Sequence, residues 1–424
     1  MARFIIQGGK RLSGKYKPPG NKNAVLPMLA ACVLTDESVC LQNIPLIEDV
    51  RTMLAILENL GVSVDIKGHT VTLCAKGLRK SRLNAELCRK VRSSILFAGP
   101  MAARHGRVTL FPPGGDIIGR RRLDPHFDGL KQLGIGIHGK NSYAFLRQNL
   151  QGARILLEEA SVTATENIVM AATLAKGSTT IFNSACEPHV QDLCFMLNKM
   201  GSDISGIGTN LLRINGVTAL HGVKHRIAPD YIDAASFIAV AALTGGELFV
   251  KEVQKDSLNV IARSFQKLGI KWTFEHNVVH LSAGQKLGIK NDFGSAIPKI
   301  EDGIWPSFPS DLMSIAIVLA TQARGTILFF EKMFESRMYF VDRLIEMGAK
   351  IVQCDPHRVV ISGPAHLHGI HMSSPDIRAG MALLLAALCA KGQSVIDNAQ
   401  SIDRGYERVE YRLRALGADI VRTA

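Results

Sequence analysis

The sequence predicts an α/β protein made of six repeated units. A helix that ends in Leu-Gly or Met-Gly, followed by a strand-like run, recurs along the 424 residues. The closing glycines are Gly61, Gly134, Gly201, Gly269, Gly348 and Gly417, at successive spacings of 73, 67, 68, 79 and 69 residues. Self-similarity at a nearly constant period indicates a repeat architecture, and this period is long enough for a βαβαββ module.

Each unit is predicted to open with an apolar helix. These helices are expected over Ala24–Leu34, Ser94–Ala103, Glu166–Ala175, Ala234–Leu243, Asp311–Ala320 and Arg378–Ala390. A short β-branched strand follows, then an amphipathic helix such as Val190–Met200, and two strands complete the unit. The glycine that closes the second helix is predicted in the left-handed conformation, which glycine adopts at little cost.

Six units group naturally as three and three, so two domains are predicted. The stretch His221–Asp230 lies between the third and fourth units and is the predicted boundary. An N-terminal strand, Phe4–Ile6, precedes the first unit and must pack elsewhere.

Composition places the chain among globular proteins, with 47% apolar and 21% charged residues. The longest apolar stretch, near Ala382–Ala390, is shorter than the roughly 18 residues of a membrane span. The apolar patch at the N-terminus is too short for a signal peptide. The eight cysteines lack the spacing of a zinc site. We therefore expect a cytoplasmic protein with no metal and no membrane span.

The formal net charge of +13 suggests an anionic partner, which could be nucleic acid, a membrane surface or a phosphorylated small molecule. Basic residues concentrate in Lys76–Arg92 and in Arg120–Arg122. Neither cluster has interleaved aromatic residues on which bases could stack, so binding of single-stranded nucleic acid is disfavoured.

Several charged residues lie where the repeats should be apolar. Lys22 begins a helix, and an ammonium beside helix N–H groups can bind an anion. The glycine-rich loop 112–119 carries one carboxylate, Asp116, and three arginines follow it. Arginine favours bidentate contacts with phosphate or carboxylate. The alternative for this segment is a capped surface loop.

Further charged residues stand at helix starts in the second half of the chain. Asp311 begins an apolar helix, where it could be an N-cap or a catalytic carboxylate. Arg378 and Arg404 follow aspartates and could bind an anion or pair with their neighbours. Such a set of arginines, one lysine and two carboxylates suits an enzyme that transfers a group between anionic substrates.

A set of segments runs in one order along almost the whole chain. They are Lys22-Asn23-Ala24 with Leu26-Pro27, Arg92-Ser-Ser, Gly114–Gly119, Ser161-Val162, Phe308–Asp311, Phe334–Arg337, Asp376–Arg378 and Ile402–Arg408. The set resembles the enolpyruvyl transferases of the UDP-N-acetylglucosamine 1-carboxyvinyltransferase family. This resemblance implies an inside-out α/β barrel of two domains, each with three βαβαββ-type units and central helices. Residues 22–228, with the Asp116 loop, would form the N-terminal domain, and 1–21 plus 229–424 the C-terminal domain.

The resemblance also implies a reaction. The family joins phosphoenolpyruvate to the 3′-hydroxyl of UDP-N-acetylglucosamine through a tetrahedral intermediate and releases phosphate, which is the first committed step of peptidoglycan precursor synthesis. Its substrates are small molecules, and no cofactor, metal, nucleic acid, membrane or obligate protein partner is implied.

Site residues carry over position by position. The catalytic residues would be Asp116, Asp311, Lys22 and Arg404, with Asp311 taking the 3′-hydroxyl proton. The residues for phosphoenolpyruvate would be Lys22, Asn23, Arg121 and Arg404. The residues for the sugar nucleotide would be Arg92, Arg121, Arg122, Leu123, Asp124, Pro125, Ser161, Val162, Asp311 and Met333, with Arg378 in the same cationic lining.

The sequence departs from the common family pattern at a few positions. Many members have cysteine at the position of Asp116, and this cysteine is the proton donor and the target of fosfomycin. A carboxyl group can donate the same proton when its pKa is raised, so the resemblance implies an active, fosfomycin-insensitive enzyme. Arg122 stands at a common proline, and Tyr231 stands where arginine is frequent.

Two other functions fit parts of the pattern. One is the sister enzyme that makes 5-enolpyruvylshikimate 3-phosphate, with the same fold and donor. The other is a non-catalytic or regulatory paralogue that binds the UDP-sugar.

Overall fold

The computed structural model describes residues 2–115 and 118–423. Its α-helices are α1 (Lys22–Ala31), α2 (Glu48–Leu60), α3 (Ala85–Lys90), α4 (Ala98–His105), α5 (Asp124–Gln132), α6 (Val162–Ala172), α7 (Pro188–Lys199), α8 (Tyr231–Thr244), α9 (Lys255–Lys267), α10 (Met313–Gln322), α11 (Val341–Glu346), α12 (Ile377–Cys389), α13 (Gln400–Asp403) and α14 (Val409–Ala415).

The strands alternate with these helices along the chain. They are β1 (Arg3–Gln7), β2 (Gly14–Tyr16), β3 (Val39–Gln42), β4 (Ser63–Lys67), β5 (Thr70–Cys74), β6 (Arg107–Leu110), β7 (Ile135–His138), β8 (Tyr143–Arg147), β9 (Arg154–Leu156), β10 (Ser178–Phe182), β11 (Asp203–Ser205), β12 (Leu211–Asn215), β13 (Val223–Arg226), β14 (Leu248–Lys251), β15 (Thr273–Glu275), β16 (Val278–Leu281), β17 (Lys299–Glu301), β18 (Gly325–Phe330), β19 (Ile351–Asp355), β20 (Arg358–Gly363), β21 (His371–Ser373), β22 (Gln393–Asp397) and β23 (Asp419–Thr423).

The described residues form two compact units. The N-terminal unit contains residues 20–115 and 121–228, and the C-terminal unit contains residues 2–19, 118–120 and 229–423. Each unit has its own hydrophobic core.

Three sheets surround three buried helices in the N-terminal unit. The strand orders are β13-β3-β5-β4, β6-β8-β7 and β11-β12-β10-β9. Helices α1, α4 and α6 lie at the centre, and nearly every residue of α1 and α6 is buried. A helix that is apolar on all sides must be buried in this way, because no face of it can be solvated favourably.

The C-terminal unit repeats this arrangement with β15-β16-β14-β2, β17-β18-β20-β19 and β21-β22-β1-β23 around α8, α10 and α12. Strand β1 runs antiparallel to both β22 and β23, with Phe4 opposite Ile396 and Arg422. The first strand of the chain therefore completes the last sheet of the C-terminal unit.

The closing glycines confirm the repeat. Gly61, Gly134, Gly201, Gly269, Gly348 and Gly417 have φ angles of 101°, 87°, 95°, 86°, 103° and 106°. A residue with a Cβ atom is strained in this region, so glycine ends each outer helix and turns the chain toward the next strand.

The second repeat is less regular than the others. Its sheet has three strands, and Arg82 makes an isolated parallel bridge with Thr109 where the other repeats have a fourth strand. Its central helix was expected over Ser94–Ala103, but residues 92–97 form a 3-10 turn and α4 begins at Ala98. Pro100 explains this start, because proline lacks the N–H that a residue deeper in the helix would donate.

None of the helices in residues 2–115 and 118–423 combines the length and apolar character that a bilayer span requires.

Candidate active site

Asp311 lies in the C-terminal unit, in the 3-10 turn that leads into α10. Its Oδ1 accepts a hydrogen bond from Arg337 Nη2 at 2.8 Å, and its Oδ2 accepts one from Arg378 Nη2 at 2.6 Å. The N-cap positions of this turn and of α10 are Pro309 and Leu312, and neither makes a side-chain capping hydrogen bond. Both carboxylate oxygens of Asp311 are held by guanidinium groups.

Two guanidinium groups determine the charge of Asp311. Burial raises the pKa of this carboxyl, but the nearby charges of Arg378 and Arg337 and their hydrogen bonds hold the pKa well below its usual range. The side chain remains 25% exposed. Asp311 is thus an ionised carboxylate at neutral pH and can still be reached by a ligand.

Arg378 is anchored on both sides. Asp376 caps α12 by accepting hydrogen bonds from the backbone N–H groups of Arg378 and Ala379 at 2.8 and 3.0 Å. The guanidinium of Arg378 turns away from this cap to Asp311 and donates from Nη1 to the hydroxyl of Tyr406 at 3.2 Å. Arg378, assigned to the cationic lining by resemblance, is buried and holds Asp311 in place.

Arg404 follows α13 and is half-buried. Its neighbour Asp403 is held by Arg422 through two bonds, Nη1 to Oδ2 at 2.9 Å and Nη2 to Oδ1 at 2.6 Å. Arg422 also donates from Nε to Glu410 at 2.9 Å. A bidentate bond restrains a carboxylate in orientation as well as position, so the turn that carries Arg404 is fixed through Asp403.

Lys22 is the first residue of α1 in the N-terminal unit. The preceding Asn21 caps this helix, because its side chain accepts hydrogen bonds from the N–H groups of Asn23 and Ala24 at 2.8 and 3.1 Å. The ammonium of Lys22 lies 2.8 Å from Asp49 Oδ2, and both side chains are buried. The half-buried Asn23 comes next on the same turn.

Arg92 orders the chain that follows the glycine-rich loop. Its Nη2 donates to the carbonyl oxygens of Arg121 and Arg122 at 2.7 and 3.2 Å. Burial, reinforced by the charge of Arg121, lowers the pKa of Arg92 to about 10. The side chain of Arg122 is engaged by acidic neighbours, Asp124 at 3.1 Å and Glu158 at 3.2 Å.

The remaining residues assigned to the sugar nucleotide by resemblance lie at two helix starts and in one loop. Leu123 and Pro125 flank Asp124 at the start of α5, and Ser161 caps α6, whose first residue is Val162. Met333 lies on the connection between β18 and α11 in the C-terminal unit, and its side chain is exposed.

The buried His126 links the start of α5 to α6 in the N-terminal unit. His126 lies 3.1 Å from the hydroxyl oxygen of Thr163 through Nε2 and 3.1 Å from Asn167 Nδ2 through Nδ1. Burial, with a smaller contribution from Arg92, lowers the pKa of His126 to about 3, so the ring is neutral. Asn167 Nδ2 also donates to the Ile95 carbonyl, which makes it the donor to Nδ1 and leaves the ring proton on Nε2, facing Thr163.

Comparison with known proteins supports one family. Residues 6–413 match the EPSP synthase (3-phosphoshikimate 1-carboxyvinyltransferase) family. The UDP-N-acetylglucosamine 1-carboxyvinyltransferase of Treponema denticola is 51% identical over 421 residues, which cover 99% of both chains. That of Bradyrhizobium diazoefficiens is 50% identical over 99% of this chain and 98% of its own. This chain belongs to the UDP-N-acetylglucosamine 1-carboxyvinyltransferase family.

Solved structures show the same fold. The enolpyruvyl transferase NikO from Streptomyces tendae superposes with a TM-score of 0.89 at 22% identity, covering 100% of this chain and 99% of its own. EPSP synthase from Acinetobacter baumannii superposes with a TM-score of 0.79 at 19% identity over 100% of both chains. The shikimate enzyme therefore shares the fold, whereas the much higher sequence identity lies with the UDP-N-acetylglucosamine 1-carboxyvinyltransferase family.

Sequence reasoning missed three residues that the structure places beside those assigned from the family resemblance. Arg337 binds Asp311, Asp49 binds Lys22, and His126 joins α5 to α6. Arg337 stands inside the quoted Phe334–Arg337 segment, so the sequence did contain a signal for it. Asp49 and His126 lie in ordinary amphipathic helices, where nothing local distinguishes them.

Asp116, the predicted proton donor, lies outside the described residues. The preceding Gly114 is described, and a Cβ atom there would lie 1.6 Å from the Arg89 carbonyl oxygen. Backbone this close admits only glycine, which accounts for the first glycine of the loop in this member of the UDP-N-acetylglucosamine 1-carboxyvinyltransferase family. Among the described residues no group of three or more potential ligands could hold a metal ion.

Proposed function

We propose that this chain transfers the enolpyruvyl group of phosphoenolpyruvate to the 3′-hydroxyl of UDP-N-acetylglucosamine and releases phosphate. The observation that carries the proposal is Asp311, an ionised and partly exposed carboxylate held by two guanidinium groups. Relatives with about half of their residues identical over almost the entire chain are named for this activity.

The proposed reaction has two stages. In the addition, Asp311 accepts the proton of the sugar hydroxyl while the oxygen of that hydroxyl bonds to C2 of phosphoenolpyruvate. Asp116 donates a proton to C3. In the elimination, the tetrahedral intermediate loses phosphate from C2 and a proton from C3, and the enol ether forms. A general base in position accelerates such a step by about 10²–10⁴.

The binding roles follow the family assignment. We propose Lys22, Asn23, Arg121 and Arg404 for phosphoenolpyruvate. For the sugar nucleotide we propose Arg92, Arg121, Arg122, Leu123, Asp124, Pro125, Ser161, Val162, Asp311 and Met333. Arg378 supports Asp311. The substrates are small molecules in the bacterial cytoplasm, and no protein partner is required.

Phosphate release tests the proposal. The purified protein should release phosphate when both substrates are present, and mass spectrometry should detect the enolpyruvyl ether of the UDP-sugar. Omission of either substrate, or replacement of the sugar by shikimate 3-phosphate, should abolish release. Calorimetric binding of the UDP-sugar without any release would instead identify a non-catalytic paralogue.

A matched pair of variants probes the donor site. Lys22→Ala should raise the KM for phosphoenolpyruvate and lower turnover, because it removes a buried cation beside a helix N-terminus. Lys80→Ala removes an exposed cation of the same unit and should behave as the wild type.

A further inference from the structure

Two buried carboxyl groups lie side by side in the C-terminal unit. Strands β17 and β18 run parallel with Glu301 opposite Phe330, so Asp302 and Glu331 follow at the ends of neighbouring strands. Both residues have 0% of their surface exposed. Among the described residues the buried Oδ2 of Asp302 has no donor, and the neighbouring Asp302 adds to the burial that raises the pKa of the Glu331 carboxyl. Two buried carboxylates at neighbouring strand ends repel when both are ionised, so a proton retained on Glu331 can be donated to Asp302.

The pair holds segments that carry residues of the proposed site. The hydroxyl of Ser310, next to Asp311, donates to both oxygens of Glu331 at 2.8 and 3.0 Å. The N–H of Lys332 donates to Asp302 Oδ1 at 2.5 Å, and the N–H of Phe334 donates to Glu331 Oε1 at 3.2 Å. These two donors flank Met333.

The same turn continues to Arg337, which binds Asp311. The guanidinium of Arg337 lies over the ring of Phe334, with its central carbon 5.2 Å from the ring centre. Through Ser310 and Phe334, Glu331 thus contacts the segments that carry both members of the Asp311–Arg337 ion pair.

We propose that Asp302 and Glu331 share one proton and act as positioning residues for the proposed transfer, holding Asp311, Met333 and Arg337 in their working geometry. The inference rests on the proposed function, since it assigns a task to residues of that same site. Neither carboxyl touches solvent, so neither is a catalytic residue itself.

The charged groups around the pair are consistent with a retained proton. Burial raises the pKa of Glu331 to about 9, with a further contribution from Asp302, while the charge of Arg337 acts in the opposite direction. His357 faces the backbone carbonyl of Glu331 through Nδ1 at 2.7 Å, and the ammonium of Lys332 pairs with Glu301 at 3.5 Å. Above about pH 9 the Glu331 carboxyl ionises as well, and its negative charge and that of Asp302 repel.

Three variants test the positioning role. Glu331→Gln keeps an acceptor for Ser310 and a donor for Asp302 at every pH, whereas Glu331→Ala removes both. Glu346→Gln is the control, because Glu346 is an exposed residue of the same unit. Turnover and the KM values of both substrates are measured from pH 6 to pH 10, together with the melting temperature.

Glu331→Ala should lose turnover by about 10²-fold, because a shift of about 1 Å in a catalytic group has this effect. Its KM should rise for the UDP-sugar and change little for phosphoenolpyruvate. Glu331→Gln should lose much less at pH 7, and it should lack the fall in turnover that the wild type shows above about pH 9.

Each outcome bears on the inference. A folded Glu331→Ala protein with the kinetics of Glu346→Gln would overturn it. If Glu331→Ala does not fold, the turnover above about pH 9 still tests the inference. An equal fall in turnover in the wild type and in Glu331→Gln would overturn the shared proton. Absence of phosphate release by the wild type would overturn the proposed function itself, a result distinct from unchanged variant kinetics.

Discussion

Arg378 donates from Nη2 to Asp311 Oδ2 at 2.6 Å and thereby joins the starts of two buried helices, α12 and α10. The same guanidinium donates to the hydroxyl of the buried Tyr406 at 3.2 Å. The ion pair keeps Asp311 ionised and points its carboxylate in one direction. In the proposed role of base, Asp311 is thus ionised and oriented before the reaction begins.

Asp311→Asn should keep most of the affinity for UDP-N-acetylglucosamine and lose turnover by about 10²–10⁴. The amide has nearly the same shape but cannot accept the hydroxyl proton. Steady-state kinetics and calorimetry measure the two effects separately. Asp342→Asn, an exposed position on α11, is the matched control. Turnover close to that of the wild type in Asp311→Asn would remove this carboxylate from the mechanism.

The same carboxylate should make stability depend on pH. Because the pKa of Asp311 is depressed in the folded protein, its stabilising effect is present above the ordinary carboxyl value of about 4 and is lost as the pH falls further. The difference in unfolding free energy between wild type and Asp311→Asn should therefore be largest near pH 7 and shrink in acid. Urea denaturation at pH 7, 4 and 3 measures it, and a constant difference would contradict the ion-pair assignment.

Arg422 should influence the KM for phosphoenolpyruvate without contacting this substrate. Arg422→Gln releases Asp403 and loosens the turn that carries Arg404. Because a hydrogen bond to a charged group contributes about 1.5–3 kcal/mol, the KM for phosphoenolpyruvate should rise on the order of tenfold. Arg343→Gln breaks an exposed ion pair of the same unit and serves as control. Equal KM values in the two folded variants would show that Arg422 supports only β23.

Fosfomycin should leave the wild-type protein unmodified. The drug is an epoxide that a thiolate opens, and a carboxyl group that must stay protonated for catalysis is a poor nucleophile. Loop residues 114–119 contain no cysteine. Asp116→Cys should remain active and gain a drug-sized adduct in intact-mass measurements. An adduct on the wild-type protein mapped to this loop would show that the role assigned to Asp116 is wrong.

The sequence by itself determined the repeat and the family. Leu-Gly and Met-Gly pairs at a steady period predicted the helix ends, because the left-handed turn after a helix is a local requirement that glycine meets. The apolar central helices could also be predicted, since a helix without a polar face has to be buried. The ordered motif segments also predicted Lys22, Asp311 and Arg404 at helix boundaries.

Only the tertiary structure decided which charges meet. Asp311 could have been a helix cap from its position alone, and its partners Arg337 and Arg378 lie 26 and 67 residues away in the chain. The same is true of Asp302, which neighbouring parallel strands bring beside Glu331. Local periodicity carries no information about such pairs, because an ion pair depends on where the chain returns in space and on how much water is excluded there.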